Sequence, residues 1–169
     1  MNEVGNVQAQ AGGLVVGDLR VSAVPQTQPF RVPCMAPPVY GSVLHRPYRS
    51  VRQCCWYHAV DWQEATTVAG NVLRGTLAQL AARPGRGPAL SVVIERNLPR
   101  DCSGHLREAV RDLAWRHPIV ASSEKITDGV HRLTAMRQQG VKTTPALIPV
   151  RLGQRLADIP GAYPHQHLS

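Results

Sequence analysis

At 169 residues and 43% hydrophobic content the chain is long enough to build one core, and its formal charge of +8 with a pI near 10.0 suits acidic partners such as nucleic acid or phosphorylated ligands. No window approaches the ~18 apolar residues of a membrane span, and residues 1–13 lack the basic and apolar regions of a signal peptide, so a soluble, cytoplasmic protein with no membrane partner is expected. Cys34, Cys54, Cys55 and Cys102 show no disulfide-framework spacing and are expected to be reduced thiols; their role stays unassigned.

Residues 14–24 alternate well enough for one strand, or two short ones about Gly17 and Asp18, able to pair with a core sheet. Pro25, Pro29, Pro33, Pro37, Pro38 and Pro47 then deny ladder hydrogen bonds and favour extended backbone, so residues 25–47 read as a Pro-rich arm. Limited proteolysis is expected to trim the chain to a core beginning between Tyr48 and Asp61. Arg46, Arg49 and Arg52, interleaved with Tyr48, Trp56 and Tyr57, offer charge and ring faces to nucleic acid. The run Cys54-Cys55-Trp56-Tyr57-His58 lacks the ligand spacing of a zinc site, and buried small hydrophobes account better for its cysteines.

Residues 61–82 carry Trp62, Ala65, Ala69, Val72, Leu73, Thr76, Leu77 and Leu80 on one helical face, with Asp61 and Glu64 as the cap. Gly70 and Gly75 open the possibility of a bend and hence of a helix-turn-helix. The apolar period runs through them without a change of phase, which favours one packed helix. After the turn at residues 83–88, Ala89 to Arg96 is apolar and β-branched, and is expected to be a buried strand with Glu95 at its exit. Ser103 can cap the next helix, whose Leu106, Ala109, Val110, Leu113 and Ala114 face the core. His117-Pro118 stops that helix, and Ile119-Val120 reads as a short strand.

The one stretch with the character of a site follows. Thr127 or Asp128 can cap a helix, Gly129 permits a tight turn, and Val130, Leu133 and Met136 recur along one face until Gly140. The first turn of this helix carries N–H groups without intrahelical acceptors and the positive end of the dipole, with His131 and Arg132 beside them, so an anion such as a phosphate fits there. Val141 and Ala146 to Val150 supply another strand. Leu152, Leu156 and Ile159 suggest one more amphipathic turn before a tail containing His165 and His167.

On His117-Pro118-Ile119-Val120, then Asp128-Gly129-Val130-His131-Arg132, then Gly140-Val141 and Ala146 to Val150, the chain resembles the ParB/sulfiredoxin-like family, in which strand, Gly-x-x-Arg corner, helix, Gly turn and strand recur in that order. The resemblance covers roughly the last half of the chain. It implies an α+β fold, a small mixed sheet with packed helices, preceded here by the Pro-rich extended arm: 1–58 arm with a short strand, 59–152 ParB-like core, 153–169 tail. It also implies that Asp128, Gly129, Val130, His131 and Arg132 hold the phosphates of a nucleoside triphosphate, ATP or CTP, with Mg²⁺.

Val130 stands where sulfiredoxins place their reactive Cys, which argues against that chemistry. Partition proteins of the family usually have Glu at that position and a basic residue where His131 stands, and they follow the module with a helix-turn-helix; with only residues 151–169 after Val150, a full centromere-binding role is not expected. Relatives that phosphorylate free serine place a carboxylate base near the position of Glu95. Three readings follow: a nucleotide-responsive binding module associated with DNA; a small phosphotransferase with Asp128 near magnesium and Glu95 as base; and a structural protein without ligand. The first is preferred, because the chain shows no unmistakable nucleophile, metal cage or phosphate loop. Arg132→Ala is then expected to weaken triphosphate binding by about 1.5–3 kcal/mol with little change in fold.

Overall fold

In a computed structural model, which describes residues 13–26, 56–82, 88–102, 104–150 and 155–163, four strands and five α-helices make an α+β fold. The strands are β1 (Leu14–Arg20), β2 (Val120–Ala121), β3 (Ile126–Asp128) and β4 (Thr143–Pro149). The α-helices are α1 (Trp56–Ala59), α2 (Trp62–Ala81), α3 (Leu90–Asn97), α4 (Gly104–Arg111) and α5 (Val130–Gln138). The sheet is mixed, in the order β1-β4-β2-β3: β1 pairs antiparallel with β4 along seven residues, β4 runs parallel to β2, and β2 and β3 form a hairpin. The strand at residues 14–20 is therefore integral to the sheet rather than an appendage. Most of the expected Pro-rich arm, together with Arg46, Arg49, Arg52, Cys34, Cys54, Cys55, Ser103, His165 and His167, lies outside the described residues.

The far edge of β1 is closed by the last described segment, where Asp18 N–H donates to the Gly161 carbonyl at 2.8 Å and Tyr163 N–H to that of Val16 at 2.9 Å. The Tyr163 hydroxyl donates to the Asp18 carboxylate at 2.6 Å, and Arg74 of α2 pairs with the same carboxylate at 3.1 Å. The close approach depends on Gly17, where a Cβ would sit 2.6 Å from the Gly161 carbonyl oxygen.

Helix α2 is the central post of the core. Asp61 accepts from Glu64 N–H at 3.0 Å, the cap its sequence announces. The helix runs unbroken through Gly70 and Gly75, burying Trp62, Ala65, Ala69, Val72, Leu73 and Thr76. Burial of a side chain as large as Trp62 or Leu73 stabilises the fold by about 1.5–3 kcal/mol.

The structure corrects one element. Ala89 to Arg96 is no strand: Leu90–Asn97 is helix α3, burying Val93 and Ile94 while Leu90 and Val92 face outward. An eight-residue β-branched run fits either conformation, and packing against α2 decides. Asn97 Nδ2 donates to Thr76 Oγ1 at 3.0 Å and fixes that docking. Glu95 consequently projects from the last turn of a helix, not from a strand exit.

Helix α4 passes into a π-helical turn at Asp112–Arg116, with His117 N–H donating to the Asp112 carbonyl at 3.1 Å. The wider turn ends the helix before Pro118 and leaves the His117 carbonyl to be used elsewhere. β2 and β3 then lead into α5. No helix among the described residues is long and apolar enough to cross a membrane.

Candidate functional site

The tight turn between β3 and α5 forms at Gly129, in the left-handed region at φ +94°, but the N-cap position of α5 is Gly129 itself, with no side-chain cap from Thr127 or Asp128. The reason for glycine is local packing as well as backbone: a Cβ there would lie 2.7 Å from Ile119 Cγ1. Asp128 Oδ1 accepts from Gly129 N–H at 2.6 Å, holding the turn from its own side chain. The first intrahelical bond of α5 is Leu133 N–H to the Gly129 carbonyl at 2.9 Å, so the N–H groups of Val130, His131 and Arg132 precede the helical ladder.

These residues line one cavity of about 300 Å³, bounded by Tyr57, Thr127, Asp128, Gly129, Val130, His131 and Arg132. All five corner residues singled out in the sequence are thus brought together, while Glu95 is absent from the lining. Tyr57, which sequence reasoning read as a ring face for nucleic acid, joins them from α1 with its ring edge-on to His131, centroids 5.1 Å apart.

The five do not play equal parts. Arg132 is only 4% exposed; its Nη1 donates to the His117 carbonyl and its Nη2 lies 3.6 Å from Asp128 Oδ1. Burial lowers its pKa, with Asp128, Tyr57 and Asp112 opposing that shift. It stays charged, because a guanidinium starts far above neutral pH. Arg132 is therefore a buried strut joining α5 to the π turn, and its removal empties the space its side chain fills and takes a donor from the His117 carbonyl. The expectation that Arg132→Ala leaves the fold little changed is corrected on that ground. The Asp128 side chain, by contrast, is 59% exposed and presents its carboxylate at the cavity mouth.

Glu95 sits in a different environment. Its two carboxylate oxygens receive Arg111 Nε and Nη2, both at 2.8 Å, with Arg107 at 3.8 Å. Arg111 also reaches Glu108 at 2.6 Å, and Glu108 reaches Arg116 at 2.6 Å. The Arg111 hydrogen bonds hold Glu95 below the usual carboxylate range, so it is a weaker proton acceptor than an ordinary Glu. A carboxylate clamped at both oxygens and held ionised is poorly suited to act as a general base.

Behind the corner, His131 Nε2 meets His58 Nε2 at 3.2 Å, linking α5 to α1. His58 is buried, and desolvation lowers its pKa. It lines a second cavity of about 550 Å³ with Ala59, Val60, Asp61, Gln63, Gln138 and Gln139. Gln139 fastens this wall: its side-chain carbonyl accepts Trp62 N–H at 2.8 Å and its amide donates to Val60 at 2.7 Å. Arg137 similarly anchors the chain after β1, donating to the carbonyls of Val21, Val24 and Pro25 at 3.2, 2.6 and 3.1 Å. Sequence reasoning missed His58, Gln139 and Arg137 in these roles, since their partners lie 73 to 116 residues away.

No protein-family model matches the chain, and no solved structure does. The chain is similar to the methionyl-tRNA formyltransferase of Frankia alni, 26% identical over 155 residues, covering 77% of this chain and 46% of that protein. The chain thus spans about half the length of this curated relative.

Proposed function

We propose that the corner at Asp128 to Arg132 is a nucleotide-phosphate site, and that the chain is a ParB-like module whose basic surface meets DNA. The observation that carries this reading is the cavity at the first turn of α5, lined by Val130, His131 and Arg132, whose N–H groups precede the helical ladder, together with Asp128. Anions are stabilised at such a terminus by the dipole and by donors that the helix itself leaves without acceptors. A triphosphate brought as its Mg²⁺ complex places a cation near Asp128, which otherwise would repel it; Mg²⁺ is commonly held by one or two carboxylates together with phosphate oxygens. ATP and CTP share the triphosphate and differ in the base, and the groups named here read only the phosphates.

The phosphotransferase reading, with Glu95 as base, is disfavoured by the Arg111 clamp and by the absence of Glu95 from the cavity wall. The likeness to a formyltransferase supports no site assignment, because it is shallow and spans under half of that protein. Isothermal titration of ATP, CTP and inorganic triphosphate, each with and without Mg²⁺, tests the proposal. Binding of a triphosphate that strengthens with Mg²⁺ is expected, with Asp128→Ala removing the Mg²⁺ dependence. Failure of all three ligands to bind contradicts it. DNA binding belongs in a salt series, since a chain this basic binds DNA non-specifically at low ionic strength.

A further inference from the structure

We propose that His58 and His131 form a two-imidazole site for a borderline transition-metal ion such as Zn²⁺, between the corner cavity and its neighbour. The Nε2 atoms face each other at 3.2 Å with ring planes 57° apart, so the contact is nitrogen to nitrogen rather than ring to ring. Two imidazoles bound tetrahedrally to zinc at their usual bond lengths place their nitrogens about 3.3 Å apart, so the two rings are spaced to share such an ion. They come from separate elements, α1 and α5, and converge through the packing of Tyr57 and the Gln139 clip.

His131 lines the corner cavity and His58 the adjoining one. Among the described residues no cluster of three or more His, Cys, Asp or Glu completes a closed cage. The site is accordingly open and exchangeable, with water filling the remaining positions. Imidazole selects zinc, copper, nickel or cobalt over magnesium, which distinguishes this ion from one brought by a triphosphate at Asp128. The inference does not depend on the nucleotide reading. The competing account is a hydrogen bond in which one ring donates a single proton to the other.

The test uses the full chain carrying C34S, C54S and C55S, so that these three thiols cannot supply ligands, in buffer free of nucleotide. Co²⁺ serves as the probe. One equivalent is expected to bind with visible d–d absorption and no thiolate charge-transfer band. His131→Gln and His58→Gln are each expected to weaken binding at least tenfold, with far-UV circular dichroism checking that the helices remain. A second readout needs no histidine variant: the Hε1 resonances of His58 and His131 should be the ones paramagnetically shifted. Absent binding, shifts confined to other histidines, or binding unchanged in folded His131→Gln overturns the proposal and leaves the hydrogen-bonded pair. Because the probe is metal alone, this outcome is independent of whether a triphosphate binds.

Discussion

Two arginine-centred clusters show how differently the same residue types are used. Around Arg111, both oxygens of Glu95 and the carboxylate of Glu108 are engaged on partly exposed helix faces, and Arg116 closes the chain of charges. Around Arg132, the guanidinium is buried beneath a cavity while the nearest carboxylate, Asp128, stays exposed at its mouth. The first cluster has little capacity left for a ligand. The second buries its cation and leaves the Asp128 carboxylate exposed beside the cavity at the first turn of α5. Charge density alone does not distinguish the two clusters; the exposure of the groups left over does.

The contrast breaks most sharply at Arg132. Arg132→Ala is expected to cost about 3 kcal/mol in urea unfolding, because it empties the buried space that the long side chain fills and takes a donor from the His117 carbonyl. Gly129→Ala follows at about 2–3 kcal/mol, the sum of left-handed strain and the clash with Ile119, measured the same way. Asp61→Ala should cost about 1 kcal/mol through loss of the α2 cap.

The Arg111 cluster is expected to give the smallest effect. Arg111→Ala should cost no more than about 1 kcal/mol at pH 7, since its partners are partly solvated. Its pH dependence has a definite sign. Glu95 and Glu108 are both held below the ordinary value of 4.5, so the folded state binds fewer protons than the unfolded state on acidification. Their stabilisation is complete above that value and is lost as pH falls through the lowered folded values. The stability gap between wild type and Arg111→Ala should therefore close in acid; a gap that widens there would show that the cluster is not held by these ion pairs.

The same contrast explains what the sequence could and could not disclose. The α2 cap at Asp61 and Glu64, the unbroken face from Trp62 to Thr76 and the turn at Gly129 follow from local spacing, and all are present. The run at residues 89–96 misled because β-branched residues fit a short helix when its buried positions, Val93 and Ile94, meet a neighbouring helix. Arg132 read as a surface phosphate ligand, and only three-dimensional packing shows it buried against the His117 carbonyl from the π turn. The meeting of His58 and His131 has no sequence signal, because neither local period nor motif spacing relates residues so far apart in the chain.

The difference between the two clusters is tested most directly by titrating the wild-type chain and Glu95→Gln with Mg²⁺-triphosphate while following nucleotide consumption. The corner account predicts equal affinity in both proteins and no turnover in either. Absence of binding in the wild type, or turnover toward a hydroxylated acceptor that disappears in Glu95→Gln, would contradict it.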